Sequence, residues 1–282
     1  MASWAVTRTV RSEGARQDVL EALDMTAQQN GFSNTPEPLF TSAPSGSDEL
    51  WARLPIREPD PQLLARNRIV TSHRFDPAHA TFDVMRTRIL QLLRQNKWTS
   101  LAITSPTPGC GKTVTALNLA FSLAHQKDCR TVMLDLDLRR PKIGKLLGIQ
   151  DRPCMEHFLN GQRDVEDVFV RFGENLAIGA NRFPVGFAAE LLQSAGTTKV
   201  LEEIRQKLEP DVVLFDLPPL LCGDDVLGFL PNVDCAMLVV AAGSSKLSEI
   251  DACEEDISSK TNMLGVVLNK CWYAPEIYGY QP

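Results

Sequence analysis

Ser105-Pro-Thr-Pro-Gly-Cys-Gly-Lys-Thr113 decides the reading of this chain. Thr99 to Thr104 ahead of it reads as a short buried strand. Thr113 to His125 behind it reads as a helix, with Val114, Leu117, Leu119, Ala120 and Leu123 as its apolar positions. Between them, Gly109 and Gly111 let the backbone turn so that successive N–H groups can point at phosphate oxygens, and the helix adds the positive end of its dipole there. Lys112 is placed to reach the outer phosphates of a nucleotide and Thr113 to put its hydroxyl on magnesium. Pro106 stands where the strict pattern G-x-x-x-x-G-K-[ST] has glycine.

Two further segments repeat a pattern of apolar run followed by carboxylate. Thr131-Val-Met-Leu-Asp135 leads into Asp137, Arg139 and Arg140, and Asp211-Val-Val-Leu-Phe-Asp216 leads into Leu217-Pro-Pro219. In an open parallel sheet, ligands sit outside the carboxyl ends of the strands, so the spacing puts Asp135, Asp137 and Asp216 beside the glycine loop. A strand-end aspartate can also simply cap the next helix. Three of them after three strands, with a Gly-Lys-Thr loop, favour a nucleotide site with Asp216 as its Walker-B carboxylate. Leu176–Gly179, Ala236–Val240 and Leu264–Asn269 read as more strands, with a helix at Thr197–Leu208. Such alternation predicts an α/β fold with a doubly wound, mostly parallel sheet: a P-loop NTPase of the deviant Walker type.

In order and spacing, Gly109-Cys-Gly-Lys-Thr113, Leu134-Asp-Leu-Asp-Leu-Arg-Arg-Pro141 and Phe215-Asp-Leu-Pro-Pro219 resemble the bacterial tyrosine kinases of polysaccharide export, the BY-kinases. Met155-Glu-His-Phe-Leu-Asn-Gly161, Glu190-Leu-Leu192, Asp225, Asp234 and Gly265-Val-Val-Leu-Asn-Lys270 also fall at that family's spacings, and the likeness covers roughly residues 64–282. Asp-x-Asp-x-Arg, the Walker A′ element, is its specific part. The resemblance implies an ATP- and Mg2+-dependent tyrosine autokinase regulating exopolysaccharide or capsule biosynthesis and export. It implies Lys112, Asp135, Asp137 and Asp216 as catalytic residues, with Asp135 accepting the tyrosine proton or ordering the metal's water shell. Pro108, Gly109, Cys110, Gly111, Lys112, Thr113 and Val114 would cradle the nucleotide, and Asn269 would meet the adenine. Thr113, Asp135 and Asp216 would serve the metal.

The chain departs from the family at Leu217, where Ser or Thr is usual, and in the ring-forming motif, whose positions are Ala80, Asp83 and Arg86 with only Arg86 matching. The alternative reading is an ATP-hydrolysing switch of the partitioning or cell-division type. That class carries a signature lysine at the position of Thr107.

All three tyrosines, Tyr273, Tyr278 and Tyr280, lie in the last ten residues. They are the expected phosphoacceptors, since chain ends can reach a neighbouring site; packing of an aromatic tail on the sheet edge is the other possibility. Domain boundaries are expected at a flexible segment 1–60, rich in Ser, Thr, Pro and Gly from Asn30 to Asp48, a kinase domain 61–270 and a tyrosine-bearing tail 271–282. Ala78–Asn96 reads as a helix started by Asp76-Pro77, apolar along Phe82, Met85, Ile89, Leu92 and Leu93, with a basic opposite face. That face could meet a membrane partner or simply be solvated.

Net charge is −6, which argues against nucleic acid as a partner. Seven cysteines without metal spacing fit free thiols in a reducing cytoplasm, and no run approaches a membrane span. By the resemblance, the partners are other copies of the chain and a membrane-anchored polysaccharide chain-length or co-polymerase activator. That activator would recruit this cytoplasmic protein to the inner face of the plasma membrane.

Overall fold

The structure, a computed structural model, describes residues 46–72, 78–149, 151 and 154–271. In chain order the elements are α1 (Gly46–Arg53), α2 (Pro61–Arg66), α3 (His79–Asn96), β1 (Ser100–Thr104), α4 (Lys112–Ala124), β2 (Thr131–Asp135), α5 (Ile143–Leu147), α6 (Met155–Leu159) and α7 (Val165–Val168). They continue as β3 (Phe169–Phe172), β4 (Leu176–Gly179), α8 (Ala188–Leu192), α9 (Ala195–Leu208), β5 (Val212–Asp216), α10 (Asp225–Phe229), β6 (Cys235–Ala241), α11 (Leu247–Ser258) and β7 (Asn262–Asn269).

The strands form one sheet in the order β3-β4-β2-β5-β1-β6-β7, parallel except for the antiparallel β3–β4 pair. The expected doubly wound, mostly parallel sheet is thus present. Its strands are uniformly apolar because both faces are covered, as parallel sheets require. Side chains still alternate between two cores. Leu101, Ile103, Met133 and Leu214 pack with Phe82, Met85 and Ile89 of α3 and Leu117 of α4. Ala102, Val132, Leu134 and Phe215 pack on the other face with Ile204 and Leu208 of α9 and Ile257 of α11.

The fold corrects the boundary placed at residue 60. Residues 46–60 are packed, not free: Leu50, Trp51 and Leu54 are buried in the α9-side core. The Trp51 indole N–H donates to Leu208 O at 2.8 Å. Arg171 N donates to Pro55 O and Arg57 N to Arg171 O, each at 2.8 Å, so the segment also leans on β3. Helix α1 is short and follows a Ser/Pro/Gly-rich stretch, so composition hid an anchor that only its partner α9 makes worthwhile. The Asp76-Pro77 helix signal and Tyr273, Tyr278 and Tyr280 lie outside the described residues. Among the described residues, no helix is long and apolar enough to cross a membrane.

The expected basic face of α3 is smaller than its sequence suggests. Arg86 Nη1 donates to Asp83 Oδ1 at 2.6 Å and to Ser122 O at 3.0 Å, locking α3 to α4. Its side chain is only 12% exposed. The one surviving residue of the ring-forming motif therefore has an intramolecular role here.

Candidate active site

The sheet order builds the site. β5 lies between β1 and β2, and Asp216 is in register with Ile103 on one side and Asp135 on the other. The loop after β1 therefore ends beside two strand-end carboxylates. Leu220 N donates to Ser105 O at 2.8 Å and Leu221 N to Pro106 O at 3.1 Å, tying the loop to the chain that follows β5. Gly109 and Gly111 both have left-handed backbones, with φ of 89° and 93°.

A further tie was not legible in the sequence. Asn269, at the end of β7, donates from Nδ2 to Cys110 O at 2.9 Å. A Cβ on Gly111 would come within 2.3 Å of that nitrogen. Asn269 thus clamps the loop. Cys110 is buried with its Sγ donating to Thr107 O at 3.2 Å, and fills the inside of the turn.

Beneath the loop lies a charged cluster. Lys112 Nζ donates to Asp137 Oδ2 at 2.8 Å and to Asp216 Oδ1 at 3.2 Å. Thr113 Oγ1 donates to Asp216 Oδ2 at 2.7 Å. Burial pulls the Lys112 pKa down, but Asp216 and Asp137 outweigh it and hold the ammonium above its ordinary value. Burial pushes Asp216 up, against the opposing pull of Lys112. Asp135 is pushed well above the carboxylate range by burial and then by the charge of Asp216.

Asp135 is set back from the cavity. It is fully buried, and its Oδ2 accepts from Lys142 N at 3.2 Å and Ile143 N at 3.0 Å, capping α5. The bland helix-capping role is therefore real for this residue. Its Oδ1, however, is buried with no hydrogen-bond partner among the described residues. Asp137, not Asp135, lines the cavity in front of the lysine.

Two carboxylates share one ammonium, and a third, Asp135, has an oxygen without a hydrogen-bond partner among the described residues. That oxygen-rich, negatively charged donor set fits a hard divalent cation such as Mg2+. Among the described residues, no group of three His, Cys, Asp or Glu side chains forms a metal cage. Mg2+ is usually held by one or two carboxylates plus waters and substrate phosphates, without such a cage. Thr113 and Asp216 would hold the ion, and Asp135 would face its water shell; when bound it would offset charge on the phosphates.

This arrangement makes a stability prediction. Asp135→Asn should raise the melting temperature of the nucleotide-free protein at pH 7.5 by a few degrees, at about 2–4 °C per kcal/mol. The amide oxygen keeps the two backbone bonds, and the buried charge beside Asp216 is gone. A carboxyl whose folded pKa is raised contributes stability below its unfolded pKa of about 3.9 and loses it as pH rises through the folded value. The advantage of the Asn variant should therefore be largest near neutrality and fade toward pH ~4. A melting temperature at pH 7.5 equal to or below wild type would contradict it.

A cavity of about 440 Å³ opens in front of the cluster. The glycine loop, Lys112, Asp137, Arg139 and Arg140 line it. This volume is in the range of ligand sites. The glycine loop, the buried Lys112, the Thr113–Asp216 pair and the strand order together form a nucleotide-binding architecture.

The comparisons agree. Residues 96–278 match the ParA family model, described as "NUBPL iron-transfer P-loop NTPase". The chain belongs to the ParA family of P-loop NTPases. Among its relatives, the tyrosine-protein kinase CpsD of Streptococcus agalactiae is 29% identical over 202 residues, which is 70% of this chain and 86% of that protein. The tyrosine-protein kinase ptk of Acinetobacter johnsonii is 27% identical over 205 residues, 71% of this chain but only 27% of that longer protein. The kinase domain of VpsO superposes with a TM-score of 0.61 at 28% identity, covering 68% of this chain and 95% of that domain. The likeness to bacterial tyrosine kinases read from the motifs is borne out.

Proposed function

We propose that this chain is an ATP-dependent protein-tyrosine kinase that phosphorylates other copies of itself and acts in exopolysaccharide or capsule biosynthesis. The observation that carries the reading is the buried Lys112–Asp137–Asp216–Thr113 network under a glycine loop, opening onto one cavity. In the reaction, the tyrosine oxygen bonds to the γ-phosphorus and the bond from that phosphorus to the β,γ-bridging oxygen breaks. ADP leaves, and the phenolic proton passes to a base at the cavity wall. Asp137, which lines the cavity, is the proposed base, with Lys112 holding it and spreading the developing phosphoryl charge.

The named kinases among its relatives support tyrosine as the acceptor. The tail tyrosines Tyr273, Tyr278 and Tyr280 are the proposed phosphoacceptors, presented to the cavity of another copy. A membrane-anchored polysaccharide co-polymerase is the proposed activator, recruiting the chain to the inner face of the plasma membrane.

The test uses two full-length copies. A donor with Tyr273, Tyr278 and Tyr280 all changed to Phe is mixed with an acceptor carrying Lys112→Met and an intact tail, with ATP, Mg2+ and the activator's cytoplasmic segment. Mass spectrometry should find phosphotyrosine on the acceptor, at a rate that rises with protein concentration. ATP hydrolysis without phosphotyrosine on the acceptor would instead establish the partitioning-type switch.

A further inference from the structure

Arg139 lies two residues beyond Asp137, the carboxylate that grips Lys112. Its side chain is 50% exposed and lines the same cavity as the glycine loop. It is nonetheless fixed. Its Nε donates to both carboxylate oxygens of Asp225, each at 3.0 Å. Asp225 opens α10, 86 residues further along the chain, and its side chain is only 4% exposed.

This is not the geometry of an ordinary surface ion pair. Exposed pairs contribute little and usually join two solvated groups. Here one partner is a buried carboxylate, which needs its counter-charge. The contact also uses Nε, the inner nitrogen of the guanidinium. Both Nη nitrogens are left without a protein partner among the described residues. An arginine held by its inner edge with its outer fork unengaged suits bidentate recognition of a phosphate. Arg140 and Lys142 border the same cavity but lack such an anchor among the described residues.

We propose that Arg139 contacts the terminal phosphate of the bound nucleoside triphosphate, and that Asp225 is the positioning residue that aims it. The inference rests on the ATP-dependent reading above and adds a residue pair to that site. Asp225 acts only through Arg139 and touches no substrate. The guanidinium and Lys112 line the same cavity, so both cations would meet the charge on the outer phosphates.

The test compares equilibrium binding of ADP and of a non-hydrolysable ATP analogue, both with Mg2+, to the full-length protein by calorimetry. Arg139→Ala should weaken the triphosphate at least tenfold and ADP less than twofold. Asp225→Asn should lower the triphosphate-to-diphosphate preference in the same direction, by three- to tenfold. Added to Arg139→Ala, it should change that preference no further. Arg139→Lys should not restore it, because an ammonium has no inner nitrogen for Asp225 to hold. Should Asp225→Asn fail to fold, Asp225→Glu carries the same comparison and should keep part of the preference.

Equal losses for both nucleotides, or losses confined to the KM for an acceptor peptide, would overturn the phosphate assignment. An Asp225→Asn effect undiminished in the Arg139→Ala background would show that Asp225 is structural only. A wild-type protein that binds neither nucleotide would overturn the ATP-dependent reading itself, and this inference with it.

Discussion

Lys112→Met should abolish phosphoryl transfer, with a loss of at least about 100-fold, the usual cost of removing one preorganised electrostatic group from such a site. The expectation comes from the position of the ammonium, 2.8 Å from Asp137 and 3.2 Å from Asp216 beneath the loop. The same substitution should also change stability. Lys112 is the cation that Asp137 and Asp216 share, and removing one partner of a buried pair typically costs about 3–5 kcal/mol. Burial already pushes Asp216 up, and without the lysine only the Thr113 hydrogen bond is left to oppose that push. The folded variant therefore binds protons more readily than its unfolded chain, so its stability rises as pH falls. The melting-temperature deficit of Lys112→Met should be greatest above neutrality and shrink on moving from pH 8 to pH 5. Activity measured well below the melting temperature separates catalytic loss from unfolding. Near-wild-type transfer would show that the loop is not the phosphate site, and a pH-independent deficit would show that the charge cluster is not what Lys112 holds together.

Gly111→Ala should be strongly damaging. Two costs coincide there. The backbone is left-handed, which costs an alanine roughly 1–2 kcal/mol. The new Cβ would also sit 2.3 Å from Asn269 Nδ2, the atom that donates to Cys110 O. Gly109 is the internal control, because it has a similar φ of 89° but open space around its Cβ position. In the nucleotide-free protein, Gly111→Ala should lower the melting temperature clearly more than Gly109→Ala. The double variant Gly111→Ala, Asn269→Ala should recover the part of the loss due to the clash, but not the backbone part. Nucleotide affinity should fall at least tenfold in Gly111→Ala, since the loop must move to make room. Equal losses in the two glycine variants would mean that Asn269 does not press on the loop.

The basic stripe expected on α3 shows how a one-dimensional reading goes wrong. Arg86 is spaced as part of an outward face, yet it points between α3 and α4 because Asp83 and Ser122 offer it a paired, nearly dry site. The site takes Asp83 from α3 itself and Ser122 from α4. Spacing along one helix cannot reveal the second.

What the sequence determined by itself were the features set by local spacing. A glycine loop between a strand and a helix, and carboxylates just past apolar runs, have one economical arrangement in a parallel sheet. Lys112, Thr113, Asp137 and Asp216 were legible for that reason, and the structure brings them together. The antiparallel strand β3 and the anchor α1 were not legible. β3 has only four residues and α1 only eight, too short for periodicity to declare itself. Tertiary structure alone decided which carboxylate meets the cavity. Asp135 and Asp137 look equivalent in Asp-Leu-Asp, but the first ends β2 and is sealed under α5, while the second lies past the sheet edge beside the lysine. It alone also joined Asn269 to the P-loop and Asp225 to Arg139, contacts that span 159 and 86 residues. Such pairings are fixed by the order of strands in the sheet, and that order is a property of packing between elements that no single stretch of sequence encodes.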